Sequence, residues 1–198
     1  MNNRTYLTIV SGLPRSGTSL MMQMLEAGGL PALTDGVRTA DVDNPKGYYE
    51  FEPVKTTKED PSWVSAGVGN VVKMVHLLLL DLPAGFDYRV VFLRRDLDEV
   101  VTSQDIMLQR RDESAGSISR DRLKKVYTGQ ISTVKEHMHT HADRFKFIEV
   151  DYNGIVTDPG PWIQKISLFL SDLDTARMLE TVDPALYRNR GEGKKSGG

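Results

Sequence analysis

Apolar residues follow two rhythms along this chain. Short runs rich in β-branched residues lie at 6–11, 70–75, 88–93 and 145–150, and their lengths predict strands. Longer stretches at 18–27, 97–111 and 120–142 repeat their apolar positions every three or four residues, which predicts helices. A further helix starts at Pro159 or Pro161, since proline suits a first turn, and runs to Leu170. Strands joined through helices pair in parallel, so the expected architecture is a three-layer α/β domain with a mainly parallel central sheet flanked by helices. One helix start has its own signal. Asp96 with Glu99 three residues later reads as a capping box, and Asp98 adds charge that suits a first turn. Between Pro31 and Gly69 both rhythms fail, and Pro, Gly, Asp and aromatic residues crowd together from Asp43 to Pro53. Long irregular connections in α/β domains are functional or disordered, and the aromatic content argues against disorder.

The junction of the first strand with the first helix has the most chemistry in it. In Leu7-Thr8-Ile9-Val10-Ser11-Gly12-Leu13-Pro14-Arg15-Ser16-Gly17-Thr18-Ser19-Leu20, a strand enters a glycine-bounded loop and then a helix, which is how backbone N–H groups are gathered into a phosphate cradle. Against the pattern G-x-x-x-x-G-K-[ST], Gly12 and Gly17 are in place and Ser19 takes the hydroxyl position, but Thr18 stands where the phosphate-reaching lysine belongs. Nucleoside triphosphate chemistry depends on that lysine and on Mg²⁺ at the hydroxyl. The reading therefore moves to a phosphate-containing ligand handled without such chemistry, with Arg15 as the substitute cation.

Composition narrows the setting. A length of 198 residues suits one domain, expected over residues 1–190, and 191–198 are flexible in composition. A net charge of −2 gives no polycationic field, so nucleic acid is a poor partner. The absence of cysteine excludes disulfides, thiolate metal sites and thiol nucleophiles and agrees with a reducing compartment. The first apolar run is too short for a secretion signal or a membrane span, so a cytoplasmic protein without a span is expected. His137 and His141 lie one helical turn apart with no third ligand at a matching position, so they read as a solvated helix end and no metal is expected.

A second anion site follows the strand Val90-Val91-Phe92-Leu93. It ends at Arg94-Arg95, of which Arg94 reads as a surface or ion-pairing residue, and the next helix carries Ser103 eight residues beyond Arg95. An arginine fork and a hydroxyl thus reach the carboxyl edge of the sheet, where open α/β folds bind ligands. With these residues in view, the chain resembles the sulfotransferase family that uses 3′-phosphoadenosine 5′-phosphosulfate (PAPS). Pro14-Arg15-Ser16-Gly17-Thr18-Ser19 is similar to the 5′-phosphosulfate loop P-[KR]-S-G-T-[TS], and Arg95 with Ser103 is similar to the R-x₇-S that holds the 3′-phosphate. Asp151-Tyr152-Asn153-Gly154 through Asp158-Pro159 is similar to the family's Y-E-D-L-x-x-D-P, with Tyr152 in the place of the tyrosine that lines the adenine. The likeness runs from about Tyr6 to about Arg190. Leu20 replaces the tryptophan that follows the family's loop, and Arg188-Asn189-Arg190-Gly191 echoes its C-terminal R-K-G.

The resemblance implies a P-loop-type fold and PAPS as cofactor, held without metal by Pro14, Arg15, Ser16, Gly17, Thr18, Ser19, Arg95, Ser103 and Tyr152. It implies sulfuryl transfer to a hydroxyl or amine of a small-molecule, carbohydrate or lipid acceptor, with adenosine 3′,5′-bisphosphate as product. Such a transfer has a loose, anion-rich transition state, which suits Arg15 as the group that neutralises the leaving phosphate. Lys73-Met74-Val75-His76 resembles a family strand that supplies a lysine to the phosphosulfate and a histidine base one residue earlier; independently, Lys73 in an apolar strand needs an anionic partner. Two candidates for the base stay open, His76 and Glu50, and His76 also reads as a satisfied core histidine. Tyr48, Tyr49, Phe51 and Trp63 either cover the sheet edge or line an acceptor pocket. The alternatives to sulfuryl transfer are a P-loop small-molecule kinase, which needs a replacement cation and a Mg²⁺ site, and a catalytically silent nucleotide-binding module.

Overall fold

The structure, a computed structural model, describes residues 4–36, 49–110 and 118–183. Strands β1 (Tyr6–Gly12), β2 (Val71–Val75), β3 (Asp87–Arg94) and β4 (Phe145–Asp151) form one sheet in the order β2-β1-β3-β4. Every neighbouring pair is parallel, so the described sheet is wholly parallel where a mainly parallel one was expected. The period-two alternation of each strand divides the core between two faces. Leu7, Ile9, Val72, Met74, Val90 and Phe92 point to one face and pack with Val134 and Met138 of α4 (Arg120–Thr140). Val10, Val71, Val91 and Leu93 point to the other. There they meet α1 (Thr18–Ala27) and α6 (Pro159–Leu170), which Pro159 rather than Pro161 opens.

Three short helices escaped the sequence pattern because five or six residues are too few to show a 3.6 period: α2 (Trp63–Gly67), α5 (Tyr152–Thr157) and α7 (Thr175–Glu180). Two 3₁₀ segments, Glu52–Thr56 and His76–Asp81, were equally invisible. Helix α3 (Leu97–Arg110) starts as expected in part: Asp96 Oδ1 accepts from the backbone N–H groups of Asp98 and Glu99. The Glu99 side chain does not complete a capping box, because it is engaged elsewhere.

The aromatic segment after residue 48 covers the flank of β2. Phe51 and Trp63 meet edge to face with centroids 5.8 Å apart, and Trp63 Nε1–H donates to Thr57 Oγ1 at 3.2 Å. Residues 37–48 and 184–198, which include Tyr48, Arg188, Arg190 and the expected tail, lie outside the described residues. Among the described residues no helix is long and apolar enough to cross a membrane.

Candidate functional site

The carboxyl ends of β1, β2 and β3 meet at one edge, because Gly12 stands in register with Val75 on one side and Leu93 on the other. From there residues 12–19 loop into α1. Two glycines are obligatory. Gly12 has φ 151°, and a Cβ on it would come within 2.6 Å of Ser16 Oγ and 2.8 Å of the Leu93 carbonyl oxygen. Gly17 has φ 95°, and a Cβ there would lie 2.1 Å from the Tyr152 ring. Leu13 anchors the loop in a small apolar cluster with Val100, Val101 and Tyr127, while Pro14 is exposed. The Ser16 hydroxyl is buried and donates to the Leu13 carbonyl at 2.7 Å, so it shapes the loop from inside.

Gly17 is the N-cap of α1 and offers no side-chain acceptor, and the first turn has no acidic residue. The leading N–H groups of α1, beside the half-buried Thr18 and Ser19, therefore keep the positive end of the helix dipole open to an anion. Arg15 sits at the rim with φ 67°, an uncommon conformation for a residue with a Cβ. Its Nε–H donates to Ser103 Oγ at 3.1 Å, and its carbonyl accepts from Arg95 Nη1 at 3.0 Å. Arg95 at the β3–α3 junction, Ser103 of α3 and the loop after β1 are thus one constellation.

Arg95 is held on three sides. Its Nε–H donates to Glu99 Oε2 at 2.9 Å in an ion pair whose side chains are only 7% and 6% exposed, and its guanidinium carbon lies 4.6 Å from the centroid of the Tyr152 ring. The second Glu99 oxygen accepts from Asn153 Nδ2 at 3.1 Å, which ties α3 to α5. Tyr152 is buried between Gly17 and Arg95, and burial pushes its phenol above the ordinary range. Arg94 is exposed and pairs with Glu149 at 3.3 Å.

Lys73 is half-buried on the same face of β2 as Val71, the face that packs against α1, and stands opposite Val10 of β1. His76 follows β2 directly and is 2% exposed. Its Nε2 lies 3.0 Å from Gln130 Oε1 on α4, and Nδ1 is buried without a hydrogen-bond partner. Burial holds its pKa below the usual imidazole range, with Gln130 and the Gly12 backbone opposing that effect.

The Glu50 carbonyl accepts from Asp35 N–H at 3.1 Å and from Thr34 Oγ1, in the segment that follows Leu33, whose N–H donates to the Val71 carbonyl of β2. The preceding Tyr49 donates to Glu26 in the last turn of α1. At the tail of α4, His141 Nδ1 donates to the His137 carbonyl at 2.9 Å, and among the described residues no group of three or more metal-ligating side chains converges.

Sequence reasoning missed Glu99, Asn153 and Gln130. The Arg95–Glu99 spacing of four on a helix was an available signal for the first; nothing local marks the other two.

No family model and no curated protein matches the sequence. Among solved structures, the chain is similar to a sulfotransferase domain from the curacin biosynthetic pathway, with a TM-score of 0.54 and 13% identity over 90% of this chain and 78% of that one. It is also similar to the sulfotransferase domain of the Synechococcus PCC 7002 olefin synthase, with a TM-score of 0.49 and 19% identity over 94% and 87%. An unliganded sugar kinase from Janibacter sp. HTCC2649 matches with a TM-score of 0.42 and 13% identity over 92% and 98%. At 13% identity the likeness to the curacin-pathway domain concerns the α/β fold alone.

Proposed function

We propose that this chain is a transferase that moves the sulfuryl group of PAPS to a hydroxyl or amine acceptor and releases adenosine 3′,5′-bisphosphate. The observation behind this reading is the meeting of two motifs distant in sequence: Arg15 hydrogen-bonds Ser103, and Arg95 hydrogen-bonds the Arg15 carbonyl. The fold neighbour titled as a sulfotransferase domain of the curacin pathway supports the transferase fold.

The residues present suit the cofactor. The cradle is one that a Cβ at Gly12 or Gly17 would fill, and it opens on an uncapped helix start without acidic side chains. Backbone N–H groups of residues 17–19 and Arg15 would hold the 5′-phosphosulfate, with Lys73 on the α1 side of the sheet. Ser103 and Arg95 would hold the 3′-phosphate, and Tyr152 would take the adenine side, as the resemblance implies. A guanidinium has five donors in a fixed fork, so Arg95 can keep Glu99 on one edge and serve a phosphate with another. When bound, the cofactor would supply an activated sulfur: the acceptor's oxygen or nitrogen would bond to it, the bond from sulfur to the bridging phosphate oxygen would break, and the acceptor's proton would pass to water. Arg15 would neutralise charge gathering on the departing phosphate and Lys73 charge on the sulfuryl oxygens, both by fixed placement rather than covalent participation.

Calorimetric titration tests this reading. Adenosine 3′,5′-bisphosphate should bind and raise the melting temperature without any metal. Tighter binding of ATP with Mg²⁺, or a metal requirement for the bisphosphate, would overturn it in favour of a kinase. Binding of the bisphosphate with no turnover toward any hydroxyl or amine acceptor would favour the silent nucleotide-binding module.

A further inference from the structure

We infer that His76 and Gln130 form a strut that ties α4 to the end of β2 beside the first glycine of the phosphate loop, so that His76 is a positioning residue for the loop and not the acceptor of the substrate proton. The register leads to this directly. Val75, the last residue of β2, pairs with Gly12, the last of β1, and the chain turns at once into a 3₁₀ segment, which carries the next side chain inward. His76 is therefore 2% exposed, with one ring nitrogen 3.0 Å from Gln130 Oε1 and the other buried. Neither nitrogen is open to an incoming acceptor, whereas a proton-transfer partner must lie within hydrogen-bond reach of the substrate.

The protonation logic agrees with a strut. A ring kept neutral by burial carries one N–H. With Nε2–H donating to Gln130 Oε1, Gln130 fixes the tautomer, and Nδ1 is buried without a hydrogen-bond partner. The imidazole thereby joins α4 to the end of β2, whose last residue stands in register with Gly12. A second tie of α4 is Tyr127, packed with Leu13 of the loop, one helical turn before Gln130. Helix α4 thus meets both the end of the strand that pairs with the first glycine and the residue after that glycine.

The inference uses the proposed sulfotransferase reading only for the choice of probe, so two readouts are needed. The first is amide hydrogen exchange of residues 12–18 in the ligand-free protein, which depends on no ligand. The second is metal-free affinity for adenosine 3′,5′-bisphosphate. His76→Ala and Gln130→Ala should each speed loop exchange and weaken affinity by about three- to tenfold, the net worth of one hydrogen bond. The double variant should be little worse than either single one, because both remove the same strut. His76→Gln, which keeps a donor and an acceptor but cannot titrate, should recover much of the loop protection and affinity, and it serves if His76→Ala does not fold. Unchanged exchange and affinity in both His76 variants, with turnover down 10²–10⁴-fold in both and the acidic limb of the pH–rate profile gone, would overturn the strut and make His76 the base. Additive effects of the two alanine variants would also overturn it. Failure of the bisphosphate to bind the unaltered protein would refute the sulfotransferase reading alone, since the exchange data still decide on the strut.

Discussion

The loop at the head of β1 and the segment that flanks β2 both leave regular structure beside the same sheet, yet they are held by different forces. The loop is fixed by polar groups out of water: the Ser16 hydroxyl on the Leu13 carbonyl, the buried Arg95–Glu99 pair, and Arg15 between Ser103 and Arg95. The flank is fixed by apolar burial, with Val54 and Trp63 in the core and Phe51 packed on Trp63. Apolar burial is non-directional and tolerates many arrangements, whereas a buried ion pair and a backbone cradle hold only in one. The side that must position charge relies on buried directional interactions, and the side that closes the core relies mainly on apolar burial, with the Trp63–Thr57 hydrogen bond as an added tie.

Two substitutions of similar expected cost separate the regions. Trp63→Ala should lower stability by about 3–5 kcal/mol, as for a buried aromatic, and leave the bisphosphate affinity of the folded protein unchanged. Glu99→Ala should cost about 3–5 kcal/mol, because the buried Arg95 loses its carboxylate partner, and it should take affinity with it. Denaturant melts paired with calorimetry would show this, and a Trp63 variant that binds poorly would erase the contrast. Gly17→Ala follows: its Cβ has no room beside Tyr152 and its φ is unfavourable, so about 1–3 kcal/mol of strain and an affinity loss on the order of 100-fold are expected. Near-normal binding there would mean that the ring moves freely.

A pH series sharpens the polar side further. Burial holds His76 and His137 below the usual imidazole range, so below about pH 6.5 the unfolded chain binds protons more readily than the folded one. Their contribution is fully present above about pH 6.5 and is lost as pH falls from there through the lowered folded-state values. Melting temperature should decline over that window, and His76→Gln should flatten the decline; an unaltered slope would assign it to other groups. The smallest effect is expected at Glu50→Gln, within about 0.5 kcal/mol of stability and with turnover unchanged. A hundredfold loss of turnover would bring the flank to the chemistry and end the distinction.

The legible parts of this protein are those whose signal is local. Strands β1 and β3, helix α1 and the start of α3 fall within a residue or two of the sequence boundaries, because apolar runs, a glycine-bounded loop and an Asp cap act over a few neighbouring residues. The loop and the Arg95–Ser103 spacing were visible for the same reason. What the residues meet was not. Glu99 looked like half of a capping box, but a buried arginine one turn before it competes for the carboxylate more strongly than a backbone N–H. Tyr152 on Gly17 and Gln130 on His76 are contacts between elements remote in the chain, which no local pattern encodes. The place of Glu50 was equally illegible, since the path of an irregular segment is set by distant partners such as Asp35.

The wholly parallel sheet constrains how this site comes into being. No two of its strands can pair as a hairpin; Thr8 must find Val71, Ile9 must find Val90, and Val90 must find Phe147, each tens of residues away. Loop-closure entropy is therefore lost before much pairing is gained, and refolding should belong to the slower part of the range for mixed α/β domains. The cradle hangs from the last rung of that ladder, where Gly12 meets Val75 and Leu93. An anion added early in refolding meets a chain that has no cradle, so it should slow unfolding while leaving the folding rate untouched.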